Sequence, residues 1–364
     1  MSAPQPDRTY YPALDGIRGI AILLVVFFHN FGFINYFVFG WLGVDLFFVL
    51  SGYLITDILI KAIGSKDYLK KFYTRRIVRI FPIYYLLLII MLLILPNFIS
   101  HRVNLKYYTD NQAWLWTYMQ NWLYILKPHA GSNILLHLWS VAVEEQYYLL
   151  WPFIILLVRK PKMLLAISFL LLIGILVTRL VVWNKHIEGF QYFSWFMFTR
   201  IDGICIGSAL ALIKFINPKF ITHYTPYIIS SIAAMNFIFY FINERNQFSL
   251  PYFPLIGYTT FAIVFAILVY EAATLNKNYI TTILSFSPLR FIGKVSYGFY
   301  IYHWPVYILL TPVIITFLKN ILATKATHLN LIASILATLI GFGISVISFY
   351  FFETPFLKLK KYFR

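Results

Sequence analysis

Long apolar runs alternate with short basic segments along the whole 364-residue chain. A helix rises about 1.5 Å per residue, so roughly 20 apolar residues cross a hydrocarbon core of about 30 Å. The pattern predicts an all-α polytopic transmembrane bundle of about ten spans. They fall near residues 14–34, 41–61, 81–99, 138–158, 163–183, 195–215, 226–243, 255–273, 295–318 and 331–352. No internal repeat or long soluble linker interrupts them, so residues 1–364 read as a single membrane domain. The N-terminal MSAPQPDRTYYPALD is polar and proline-rich and lacks the basic and apolar regions of a cleavable signal peptide. The first span is therefore expected to act as the insertion signal.

Two segments depart from the alternation. KDYLKKFYTRRIVRIFP (66–82) mixes basic and aromatic residues and is expected to be an amphipathic helix at the inner interface, by default a lipid-surface element. The 101–137 segment is the longest connection, and Trp114, Trp116 and Trp122 suggest an aromatic belt at the outer interface, with a cover over a site as the other reading.

Charge sets the orientation. With the N-terminus inside, 20 Lys and Arg residues fall in cytoplasmic segments and 7 on the opposite side. This bias places both termini in the cytoplasm. The formal charge of +17 is thus an orientation signal in short loops, and no nucleic acid is expected as partner. Only 12% of residues are charged and 60% are hydrophobic, which excludes an ordinary soluble domain. Membrane lipids are the expected surroundings. Cys205 is the single cysteine, so an intrachain disulfide is excluded.

Ionisable side chains inside the apolar runs carry the functional signal, because each costs several kcal/mol unless it is paired or faces a polar cavity. Arg18 and His29 lie in the first span with ten residues between them, and Asp15 lies nearby. The eleven-residue step between them is a rise of roughly 16 Å and a net rotation of about 20°, so they share one helix face. Asp45 and Ser51 lie in the second span, Ser140, Glu144, Glu145 and Gln146 in the fourth, Arg200 and Asp202 in the sixth, Ser296, Tyr302 and His303 in the ninth, and Glu353 ends the last. Depth reckoned from rise per residue puts His29 and Glu144 at one level, about 20 Å from the inner face. Asp45 and Asp202 fall in the outer half. Arg18 lies near the inner face with the basic 66–82 segment, and His303 nearer the inner half, before a helix break at Pro305.

Histidine beside a carboxylate suits proton removal from a hydroxyl, or acceptance of an acyl group as a covalent relay. Arg76 and Arg79 stand at i,i+3 and can grip one polyphosphate. Each feature also has a plainer reading. A lone intramembrane histidine commonly bonds one helix to another. Asp15 and Arg18 can neutralise each other. Asp57 and Asp202 are expected to pair with nearby basic groups, and Arg179 and Glu271 to mark span ends. A transporter or flippase for a lipid-linked glycan would use the same charges as a translocation path.

The strings LDGIRGIAILLVVFFH, GVDLFFVLSGYLIT, FYTRRIVRIFPIYY, LWSVAVEEQYYLLWP, RIDGICIGSALAL, RFIGKVSYGFYIYHWPV and FFETP, taken in order, resemble the type-3 membrane acyltransferase family. This family includes bacterial O-antigen and peptidoglycan O-acetylases. The resemblance implies O-acyl transfer, usually of acetyl from acetyl-CoA, to a carbohydrate or lipid-linked glycan at a bacterial inner (cytoplasmic) membrane. It links the positions of Arg18 and His29 to activity, and Arg76 and Arg79 to an inner-face arginine motif. The expected catalytic residues are His29 and Glu144, with Glu144 orienting the ring. Arg18, Arg76 and Arg79 are expected to bind acyl-CoA, the co-substrate. Asp45, Ser140, Glu145, Asp202, Tyr302 and His303 form the supporting or alternative polar set, and no metal is expected. Some members carry a fused esterase-like soluble domain after the membrane part. The chain ends at Arg364 without one, so two-stage transfer within one polypeptide is not expected, and the resemblance leaves room for a separate extracytoplasmic transferase as partner.

Overall fold

The computed structural model describes residues 10–99, 103–127, 131–185, 190–220, 252–273, 278–321 and 326–363, and parts of 225–238. These residues form helices and turns, with no strand among them. Eight helices among them are long and apolar enough to cross a membrane, so the chain is a multi-pass, all-α membrane protein. The principal helices are α1 (Pro12–Phe31), α2 (Leu42–Lys61), α3 (Tyr68–Leu88), α4 (Trp139–Val158), α5 (Pro161–Asn184), α6 (Asp202–Ile216), α7 (Tyr258–Ala272), α8 (Ser287–Ile321) and α9 (Ala326–Ser348). The sixth apolar run is divided into a short helix, Met197–Arg200, and α6. The expected span at 226–243 lies largely outside the described residues.

Local sequence explains the edges. α1 starts with Pro12, whose missing N–H costs nothing in the first helical turn. α5 turns Phe169, Leu170, Ile173 and Val177 outward, an apolar surface that suits lipid. α8 contains Pro305 and Pro312 yet runs on for 35 residues. Membrane helices tolerate proline where neighbours re-satisfy the freed backbone groups. The break anticipated at Pro305 does not occur.

Glycine brings the helices that matter close together. A Cβ added at Gly293 on α8 would lie 1.8 Å from the carbonyl oxygen of Asp15 on α1. Likewise a Cβ at Gly207 on α6 would lie 2.0 Å from the carbonyl oxygen of Val49 on α2. Association between membrane helices depends on such close packing, since lipid is as apolar as leucine.

Two expectations are corrected here. The basic 66–82 segment is not a separate interfacial helix. It begins α3, which continues through a wide turn at Ile89–Ile94 into Pro96–Ile99, one helical run across Tyr68–Phe98. Nothing in the sequence ends the helix between the basic and apolar parts, and Pro82 is accommodated inside it. The 101–137 segment is not simply an aromatic belt. Its short helices Lys106–Asp110, Gln112–Trp116 and Gln120–Leu126 pack onto the bundle, with Tyr108, Leu115, Gln120, Asn121 and Tyr124 buried. Tyr84 and Tyr85 of α3 donate hydrogen bonds to the carbonyl oxygens of Leu115 and Trp116, and Gln146 of α4 donates to that of Tyr118. Non-helical backbone inside a membrane protein is tolerated where protein groups satisfy it, as they do here.

Candidate active site

His29 sits two residues before the end of α1, and His303 lies midway along α8. His29 Nδ1 and His303 Nε2 are 2.8 Å apart. A ninth span starting at residue 295 would put His303 nearer the inner face. The helix in fact starts at Ser287, more than two turns earlier, which lifts His303 to the level of His29. The indole of Trp304 lies 4.8 Å from the His29 ring, and its Nε1–H donates to the carbonyl oxygen of Asn133 at 2.9 Å. The 101–137 segment therefore holds an aromatic side chain against His29, which favours the cover reading at this one point.

His137 joins the cluster. It is buried, and its ring lies 5.5 Å from that of His303. Its carbonyl oxygen accepts from the hydroxyl of Tyr300 at 2.8 Å, and Ser140 Oγ lies 2.5 Å from that hydroxyl. Among the described residues no three of His, Cys, Asp or Glu converge to hold a metal ion.

Ser140 and Tyr300 are also walls of a cavity of about 210 Å³. Arg18, Arg76 and Arg79 line it, as do Ser51, Glu144, Glu145, Tyr148, Ser296 and Tyr297. Arg18 pairs with Asp15 at 2.5 Å. Arg76 stacks over Tyr148, its guanidinium 5.0 Å from the ring. Arg79 has no ion pair among the described residues, though Glu353 lies within electrostatic reach of it. Three guanidinium groups facing one cavity suit a polyanion. The apolar walls, from Val44, Phe47, Phe48 and Leu54, suit a slim uncharged chain.

Glu144 belongs to this cavity and not to His29. Its carboxylate accepts from Ser51 Oγ at 2.9 Å and from the Tyr148 hydroxyl at 3.1 Å. The expected His29–Glu144 pair is not formed, because equal depth in a bundle does not put two helix faces together. Glu145 also faces the cavity, and its Oε1 is buried without a hydrogen-bond partner.

Residues 11–353, which hold both the histidines and the arginine cavity, match the family described as an acyltransferase domain. The chain belongs to the type-3 membrane acyltransferase family. It is 32% identical to the peptidoglycan O-acetyltransferase OatA of Listeria monocytogenes, over 97% of this chain and 56% of that protein. It is 32% identical to the putative peptidoglycan O-acetyltransferase YrhL of Bacillus subtilis, over 84% of this chain and 50% of that protein. The same identity holds for the O-acetyltransferase OatA of Staphylococcus aureus, over 82% of this chain and 50% of that protein. The chain spans about half the length of these curated relatives. No solved structure matches it.

Not every polar residue of this family member joins the site. Asp45 bonds Arg200 at 2.8 Å, and Asp202 bonds Arg179 at 2.8 Å, all four buried. Thr259 donates to Asp202 and accepts from Arg179, and Arg200 lies 3.8 Å from the ring of Tyr258. This cluster ties α2, α5, α6 and α7 together. Arg179 lies near the end of α5, as expected, yet it is fully buried and also donates to the carbonyl oxygen of Thr199. Asp57 pairs with Lys61 at 2.7 Å on α2, as expected. Tyr302 faces Ser348 at 3.2 Å across α8 and α9, away from the cavity walls. Two residues of the cluster, His137 and Trp304, were not among the expected site residues. HWP marked the tryptophan only as a neighbour of His303, and His137 fell outside the fourth apolar run.

Proposed function

We propose that this chain transfers an acyl group, acetyl in the first instance, from a cytoplasmic acyl-CoA to a hydroxyl of a cell-surface or lipid-linked carbohydrate. The observation that carries the reading is one connected arrangement: three arginines line the same cavity as Ser140 and Tyr300, which bond each other, and the carbonyl oxygen of Tyr300 bonds His303 of the His29–His303 pair. Arg18 and His29 stand on a single unbroken helix, so this helix sets the distance between the cavity arginine and the histidine pair. The cavity of about 210 Å³ combines these arginines with apolar walls from Val44, Phe47, Phe48 and Leu54. It suits the thiol-bearing arm, with the phosphates held at Arg18, Arg76 and Arg79.

In the reaction, the acceptor oxygen attacks the thioester carbonyl. A C–O bond forms as the C–S bond breaks, His29 takes the hydroxyl proton, and that proton passes to the leaving thiolate. His29 is half-buried while His303 is sealed, so His29 is the ring an acceptor can reach. Glu144, held by Ser51 and Tyr148, offsets part of the arginine charge when the donor is absent. The similarity to peptidoglycan O-acetyltransferases supports a sugar acceptor.

Purified protein in lipid nanodiscs, given labelled acetyl-CoA and a muropeptide or lipid-linked glycan, tests the reading. Transfer is expected in the wild type, with His29→Ala at least about 100-fold slower yet still binding donor. Full turnover by His29→Ala would remove His29 from the chemistry. Glycan movement across the bilayer without CoA release would replace the transferase with a transporter.

A further inference from the structure

The protons of the histidine cluster follow from what surrounds them. His303 Nδ1 lies 2.8 Å from the carbonyl oxygen of Tyr300 and 3.1 Å from that of Phe299. A carbonyl oxygen only accepts, so Nδ1 carries a hydrogen. The reversed ring orientation would set C–H groups at all these short distances. His303 is 0% exposed and has no ion pair among the described residues. A buried imidazolium without an anion is expensive, so the ring is neutral and its Nε2 holds a lone pair. That lone pair faces His29 Nδ1 at 2.8 Å, so His29 Nδ1 must be the donor. In neutral His29 the free lone pair is then on Nε2. This atom has no hydrogen-bond partner among the described residues, and it is not among the sealed polar atoms.

We infer that His303 is a positioning residue that locks His29 in the Nδ1–H tautomer and so turns a basic Nε2 toward the acceptor hydroxyl. The inference rests on the reading of His29 as the base and deepens it. The orienting role foreseen for a carboxylate is taken by a neutral relay, from the backbone carbonyls through His303 to His29. The helix itself supplies the relay's far end, because the carbonyls of Phe299 and Tyr300 stand one turn before His303 on α8. The same arrangement explains why His303 can be sealed: it needs to exchange no proton with solvent to do this work.

The test uses the full chain in nanodiscs with its eight histidines labelled with ¹⁵N in the ring. His29 signals are assigned by their loss in His29→Gln. The wild type is expected to show His29 with a protonated Nδ1 and a pyridine-type Nε2. His303→Leu should lose this single-tautomer signature, and kcat should fall about 10²–10⁴-fold while KM for the donor stays within about twofold, as when a base is left in the wrong tautomer. His303→Gln keeps an amide oxygen that can accept from His29, and should restore both the tautomer and kcat to within about tenfold of wild type. A protonated Nε2 in the wild type would overturn the inference, as would a His303→Leu protein with unchanged tautomer and kcat. If His303→Leu does not fold, the wild-type spectrum and His303→Gln still decide. The spectrum is read without turnover. An active His29→Ala protein would therefore defeat the catalytic reading of His29, whereas a wrong wild-type tautomer beside an inactive His29→Ala would defeat only the role of His303.

Discussion

Gly293→Ala is expected to damage catalysis far more than stability. The new Cβ would lie 1.8 Å from the carbonyl oxygen of Asp15, 2.7 Å from its carbonyl carbon and 3.1 Å from the nitrogen of Gly19. All three are backbone atoms of α1, so no side chain can swing away. Ordinary contact requires α1 and α8 to separate by roughly 1.5 Å at this level, and close-packed interiors yield little. Overpacking costs about 1–3 kcal/mol, and alanine returns up to about 1 kcal/mol through its helix propensity. A net loss of about 1–2 kcal/mol in a chain of this length lowers Tm by about 1–3 °C. The same separation acts on the 2.8 Å His29–His303 contact, which lies ten residues along α8 from Gly293. A misplacement of about 1 Å at a reacting group can cost about 100-fold in rate. The single cysteine makes the stability side easy to read: Cys205 is fully buried, so a thiol-reactive dye reports unfolding on heating. Acetyl transfer by the same preparation gives the rate. Gly174→Ala is the control, because a Cβ there meets nothing within 4 Å. It should keep wild-type turnover and an equal or higher Tm. Wild-type turnover and Tm in Gly293→Ala, or equal damage from Gly174→Ala, would refute the reasoning.

Asp45→Asn should destabilise the fold by about 3–5 kcal/mol, because it leaves Arg200 charged and buried without its partner; the Asp45→Leu, Arg200→Leu double variant should lie closer to wild type in the same dye assay, and the opposite ranking would remove the pair from the fold's support. Arg76→Lys and Arg79→Lys should each raise the donor Kd by about tenfold while Tm holds, since lysine keeps the charge but loses the planar fork and, at 76, the stacking on Tyr148; calorimetric titration with acetyl-CoA checks this, and unchanged affinity in the double alanine variant would return α3's basic turn to a lipid-surface role. A cysteine at Lys106→Cys should react with an impermeant maleimide added outside cells and one at Lys70→Cys should not, with buried Cys205 giving little background; the reverse pattern would invert the donor side.

The length and spacing of the apolar runs were enough to identify an all-α multi-pass bundle, because a bilayer fixes both the length of a span and the need to satisfy its backbone internally. Arg18 and His29 could be placed on one face of one helix for a similar reason: both lie on a single continuous helix, where position follows from rise and rotation alone. Arg76 and Arg79 were likewise readable as a cationic pair. Which helix faced which was not. His29 meets His303 across 274 residues of sequence, while Glu144, placed at the same depth, turns to Ser51 and the arginine cavity. Asp45 and Asp202, both candidates for the site, are spent on Arg200 and Arg179 elsewhere in the bundle. Depth is a one-dimensional quantity that the chain carries locally. Azimuth and partner depend on close approaches such as Gly293 against Asp15, where packing between distant helices sets the geometry, and only the tertiary structure decides them.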